Sequence, residues 1–91
     1  MNVTEQDYEE SDVQWLMSTK PGRRVVARIM ERCGVHQCSF TGDVNHTIFN
    51  EGQRNVGLQL LGQINTHCPE QYPVMLREFK AFKQQFESSQ S

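Results

Sequence analysis

Apolar positions recur at helical spacing in four parts of this chain, and nowhere alternate long enough to predict a strand. The clearest segment is 21–33. Val25, Val26, Ile29, Met30 and Cys33 share one face there, while Arg24, Arg28 and Arg32 recur at i, i+4, i+8 on another. Pro21 suits the first helical position and Gly34 the C-terminal stop. Upstream, Ser11 predicts the N-cap of a short helix holding Val13, Trp15 and Leu16, interrupted at Lys20-Pro21-Gly22. A third helix is predicted from near Asn45 or Thr47 to His67-Cys68-Pro69, with Phe49, Val56, Leu60, Leu61 and Ile64 as its stripe. In the fourth, Met75, Phe79, Phe82 and Phe86 fall at i, i+4, i+7, i+11. Residues 69–73 are either a connector or the frayed start of that helix.

The segments between are read by composition. Residues 1–12 carry Glu5, Asp7, Glu9, Glu10 and Asp12 with no Lys or Arg, which predicts an extended acidic arm, disordered unless a partner holds it. Residues 35–45 lack a period and contain the turn pair Gly42-Asp43, so a loop is expected. Residues 87–91 read as a polar tail. The expected fold is therefore all-α: a small bundle of about four helices with one structured loop, arm 1–12, a single helical domain 13–86 and tail 87–91. Gly52, Gly57 and Gly62 lie inside the third helix, each costing about 1 kcal/mol relative to Ala. They mark either a weak helix that is tolerated or close approach by a neighbouring helix or chain.

Length and charge narrow the classes. At 91 residues the chain is one domain, and its formal charge of −2 argues against a generic nucleic-acid coat. No run approaches about 18 apolar residues, so no membrane span is expected. The acidic start without an apolar stretch predicts no signal peptide, which would leave the glycosylation patterns at Asn2 and Asn45 unused. Three cysteines cannot all pair internally, as suits a reducing cytoplasm.

Candidate chemistry is thin. Cys33, His36, Cys38, His67 and Cys68 have the right ligand types for zinc, but their spacing is poor, and Cys33 continues an apolar face. No metal and no cofactor are expected. Asp43, Asn45 and Thr47 imitate the start of a calcium loop, yet Ile48 and Arg54 stand where Gly and Glu are needed. His36 and Cys38 could form a base and nucleophile only if the loop held them rigidly. No hydrolase, phosphate-loop or metalloprotease motif occurs, so no catalytic residue is assigned and no enzyme activity is expected.

Charge distribution says more. Segment 20–32 carries Lys20, Arg23, Arg24, Arg28 and Arg32 against Glu31 alone, a local charge of +4. Cations near a helix N-terminus oppose the helix dipole. Arg23, Arg24, Arg28 and Arg32 are therefore candidate partner- or phosphate-binding residues. They could meet a protein's carboxylates, the chain's own acidic arm or nucleic-acid phosphates, or form a plain solvated face. Phe79, Phe82 and Phe86 are either core or a hydrophobic docking seam.

Several stretches carry a resemblance: Gly22-Arg23-Arg24, Gly34-Val35, Ser39-Phe40-Thr41-Gly42, Phe49-Asn50-Glu51-Gly52-Gln53-Arg54-Asn55-Val56-Gly57-Leu58 and Met75-Leu76-Arg77-Glu78. Over about residues 14–78 the chain resembles a small phage-protein family named after an open reading frame of a Bordetella-infecting podovirus. It departs from that pattern at Gln53, where Arg is usual, and carries Cys38 where Ser is common. The acidic arm and the Phe-rich end fall outside the shared part. Family members are encoded among phage head, portal and packaging genes. The resemblance thus implies a tailed-phage protein of the structural or packaging set, and with no catalytic motif the expectation is a non-enzymatic virion protein, assembled in the host cytoplasm and present in several copies. It would contact other phage structural proteins, portal or internal and ejection proteins, near the portal vertex or inside the capsid. Alternatives are a DNA-binding accessory in genome packaging and a host-directed adaptor. Within the motif, Glu51 and Arg54 stand at ion-pair spacing. Either Phe49 anchors the loop through Phe40, or Ser-Phe-Thr-Gly is a packed turn whose Phe40 enters the core and whose Thr41 caps.

Overall fold

The computed structural model describes residues 3–36 and 43–90, and among these every regular element is a helix. They are α1 (Glu5–Met17), α2 (Lys20–Cys33), α3 (Val44–His67) and α4 (Gln71–Gln90). The all-α expectation holds. Readings that rest on Cys38, Phe40, Thr41 and Gly42 fall outside the described residues.

The acidic segment is not an extended arm. α1 begins at Glu5, six residues before the expected Ser11 cap, because Thr4 and Asp7 form a capping box. The Asp7 amide donates to Thr4 Oγ1 at 3.3 Å, and the Thr4 amide donates to Asp7 Oδ2 at 3.0 Å. Glu5 and Asp7 in the first turn also favour the positive end of the helix dipole. At the other end of the chain, 87–90 continue α4 instead of forming a tail.

Only Ser18 and Thr19 separate α1 from α2, and Thr19 caps α2 by accepting from the Gly22 amide at 3.1 Å. This sharp reversal brings the Leu16 carbonyl to where a Cβ on residue 22 would lie, so the position requires glycine. α2 ends as expected at Gly34, in the left-handed region with φ 68°. Asp43 caps α3 by accepting from the His46 amide at 3.1 Å. Pro73 is accommodated in the first turn of α4, where an amide donor is not needed.

α2 packs against all three other helices and carries the centre of the core. Met17, Val26, Met30, Ile64 and Met75 are fully buried, with Val13, Ala27, Val35 and Cys68 around them. Three of the five are methionines, whose flexible thioethers fill irregular gaps. Gly57 lies against the α2 C-terminus. A Cβ there would sit 2.5 Å from Val35 Cγ2 and 2.7 Å from Cys33 Cβ. Gly52 and Gly62 meet nothing within 4 Å, so close approach explains one glycine of the three.

The molecule is a thin slab of 52 × 37 × 15 Å. Its radius of gyration is 15.6 Å, against about 12 Å for a compact chain of this length. A slab cannot cover every apolar stripe. Ile64 is buried, and Leu60 and Leu61 are half-buried against the core, but Phe49 and Val56 of the same expected stripe are exposed. On α2, Val26 and Met30 face inward, whereas Val25 and Ile29 stay 46 % and 41 % exposed.

Candidate functional site

The arginines of α2 separate by their angle around the helix. Arg23 points toward α4 and is half-buried. Its Nε donates to Glu78 Oε1 at 2.6 Å and its second terminal nitrogen to Glu78 Oε2 at 3.1 Å. Another N–H group donates to the Met17 carbonyl at 2.8 Å. Arg23 thus belongs to the joint between α1, α2 and α4, with most of its donors engaged inside the fold. The carboxylate raises the Arg23 pKa, and the Arg23 hydrogen bonds hold Glu78 below its ordinary value.

Arg24 lies over the Phe82 ring, its guanidinium carbon 5.2 Å from the centroid. This cation–π contact brings together two residues that the sequence reading had assigned to separate surfaces. Phe79 packs on the core and stacks on Phe82 at 6.1 Å, and Phe86 meets Phe82 edge-on at 4.9 Å. The aromatic seam is therefore graded. Phe79 is core, Phe82 is half-covered by Arg24, and Phe86 is 53 % exposed at the rim. Of the three rings, Phe82 and Phe86 present the more open part of the seam. Beside it, Lys83 pairs with Glu31 at 2.9 Å, which uses the one acid of α2.

Arg28 and Arg32 lie on the outer face of α2, exposed, and pair with no carboxylate among the described residues. No α1 carboxylate reaches Arg24, Arg28 or Arg32. Glu9 instead faces His67, with Oε2 to Nε2 at 3.0 Å, and Gln14 donates to the His67 carbonyl at 3.1 Å. The idea that the chain's own acidic segment neutralises the basic helix is corrected accordingly.

Among the described residues the thiols and imidazoles are dispersed. Cys33 faces Gly57, Cys68 is buried, and His36 meets the Tyr72 hydroxyl at 3.1 Å. Burial raises the pKa of the Cys68 thiol and of the Tyr72 phenol. Among the described residues no three potential metal ligands cluster. Nor is any helix there long and apolar enough to cross a membrane. Glu51 and Arg54 do not pair: Glu51 is exposed, and Arg54 is half-buried with its Nε enclosed and without a hydrogen-bond partner.

One surface was missed in the sequence. Along α1, Glu5, Tyr8, Asp12 and Trp15 fall at i, i+3, i+7, i+10 on one outward face. Tyr8 is 62 % exposed and Trp15, the only tryptophan of the chain, 74 %. The spacing was visible, but treating 1–12 as an arm hid it.

Several motif residues have a structural use: Gly22 in the turn, Arg23 and Glu78 at the joint, Gly34 at the cap and Gly57 at the close approach. No curated protein and no solved structure matches the chain. The family model for Bbp19-like phage protein matches residues 13–77, which span α2, α3 and the facing parts of α1 and α4. The chain belongs to the Bbp19-like phage protein family.

Proposed function

We propose that this chain is a non-enzymatic structural component of a tailed-phage particle, acting through protein–protein contacts near the portal vertex or inside the capsid. On this reading it assembles in the host cytoplasm and enters the particle in several copies. The observation that carries the reading is the exposure of Trp15 and Tyr8 on α1 together with Arg28 and Arg32 on α2, in a member of a phage family. Tryptophan, tyrosine and arginine are the residues that most often anchor protein interfaces.

Quantitative mass spectrometry of gradient-purified particles tests it, comparing full virions with particles that have released their DNA. The protein is expected in full virions. Loss on DNA release would mark an ejected internal component, and retention a shell or portal component. Absence from both would overturn the reading.

A second reading follows from Arg28 and Arg32, which pair with no carboxylate among the described residues. With Arg24 beside them they could bind DNA phosphates during packaging. Affinity would then fall steeply with salt. No electrophoretic shift at low salt would end that idea. A host-directed adaptor would be recovered with host proteins and be missing from particles.

A further inference from the structure

Two exposed stripes of this molecule complement each other and do not meet within one chain. The α1 stripe carries Glu5, Tyr8, Asp12 and Trp15. The α2 stripe carries Pro21, Val25, Arg28 and Arg32 at i, i+4, i+7, i+11, with Ile29 alongside. Each runs about 15 Å along its helix. One alternates two carboxylates with two aromatic rings. The other offers two guanidiniums beside two exposed aliphatic side chains.

We propose that the α1 stripe of one copy docks on the α2 stripe of a second copy of this chain. Arg28 and Arg32 then face Glu5 and Asp12, while Trp15 and Tyr8 cover Val25 and Ile29. Guanidiniums beside the Trp15 and Tyr8 rings add cation–π attraction. Charge selects the pairing. Two α1 stripes would set four carboxylates against one another, and two α2 stripes four guanidiniums. Only α1 against α2 neutralises both. The whole helices repeat the pattern: α1 has five acids and no Lys or Arg, and α2 carries +4. Such a contact can close as a pair or a ring. The inference deepens the structural reading above by naming a partner for these faces, and it is tested on purified protein, apart from the particle.

Native mass spectrometry and light scattering of the purified full chain read the assembly across concentration and salt. Trp15 supplies a direct optical probe, since its emission should move to shorter wavelength as the oligomer forms. Reversing α2 with Arg28→Glu and Arg32→Glu is expected to raise Kd about a hundredfold, as like charges across an interface do. Reversing α1 with Glu5→Lys and Asp12→Lys should do the same. These positions are exposed, and circular dichroism checks that each variant keeps its helices. Mixing the two reversed proteins should restore assembly, because each then offers the other an oppositely charged stripe. A wild-type chain that stays monomeric at the highest concentration reached would overturn the inference. So would an oligomer unaffected by either reversal, or reversed proteins that fail to assemble when mixed.

Discussion

Arg23 and Glu78, 55 residues apart, meet through two parallel N–H···O bonds of 2.6 and 3.1 Å. The forked geometry fixes both the distance and the rotation of α4 against α2, which a point charge would not do. Because Arg23 also donates to the Met17 carbonyl, the last residue of α1 is held by the same guanidinium. Two motifs far apart in the chain, Gly-Arg-Arg and Met-Leu-Arg-Glu, thus converge on one structural joint.

Removing one partner of this joint leaves the other half-buried without its counter-charge. Glu78→Gln or Arg23→Met should therefore destabilise the chain by roughly 1.5–3 kcal/mol, the range for hydrogen bonds to charged groups. Urea unfolding followed by circular dichroism measures it. Arg28→Met, on the outer face, should change the stability of the monomer by less than about 0.5 kcal/mol. Equal losses for the two arginines would contradict their different roles.

Acid should act through the same pair. Arg23 holds the Glu78 carboxylate below its ordinary value of 4.5, so in that window the folded chain binds fewer protons than the unfolded one. Stability contributed by the pair is full above about pH 4.5 and is lost as pH falls through the folded value. Melting temperatures measured between pH 6 and pH 3 (about the range where carboxylates titrate) should fall more steeply for wild type than for Glu78→Gln. Parallel curves would show that Glu78 contributes no pH dependence.

The three glycines of α3 should respond in opposite directions. Gly57→Ala places a methyl group 2.5 Å from Val35 Cγ2 and should cost about 1–3 kcal/mol through overpacking. Gly52→Ala and Gly62→Ala meet open space and should each gain up to about 1 kcal/mol from helix propensity. Thermal midpoints of the three single variants decide the matter. A stabilising Gly57→Ala would mean that α2 and α3 do not approach as closely as the geometry requires.

Thiol reactivity provides another check on the core. Cys68 is 3 % exposed, and burial raises its pKa, so both access and thiolate fraction are low. Alkylation followed by peptide mapping should leave Cys68 unmodified in the native chain and label it fully in denaturant. Native labelling as fast as in denaturant would place Cys68 outside the packed interior.

Much of this fold is written locally. The 3.6-residue period of Val26 and Met30, Pro21 at the start of α2 and the left-handed Gly34 at its end are short-range properties that need no neighbour. The capping pair Thr4 and Asp7 was equally local, but five acids without a basic residue pointed toward disorder, and the hydrogen-bonded cap prevailed over that composition. Other features depended on what packs beside them. Arg23 and Arg28 are the same residue type on one helix, and only α4, arriving with Glu78, makes the first structural and leaves the second exposed. Gly57, Gly52 and Gly62 carry the same local cost, and only the position of Val35 and Cys33 gives one of them a purpose. Phe49 and Val56 continue the stripe of Ile64, yet a slab 15 Å thick buries one end of that stripe and exposes the other. Periodicity and caps depend on hydrogen bonds within a few residues, which the sequence displays directly. Burial and pairing depend on which distant surface arrives, and that is settled when the four helices pack.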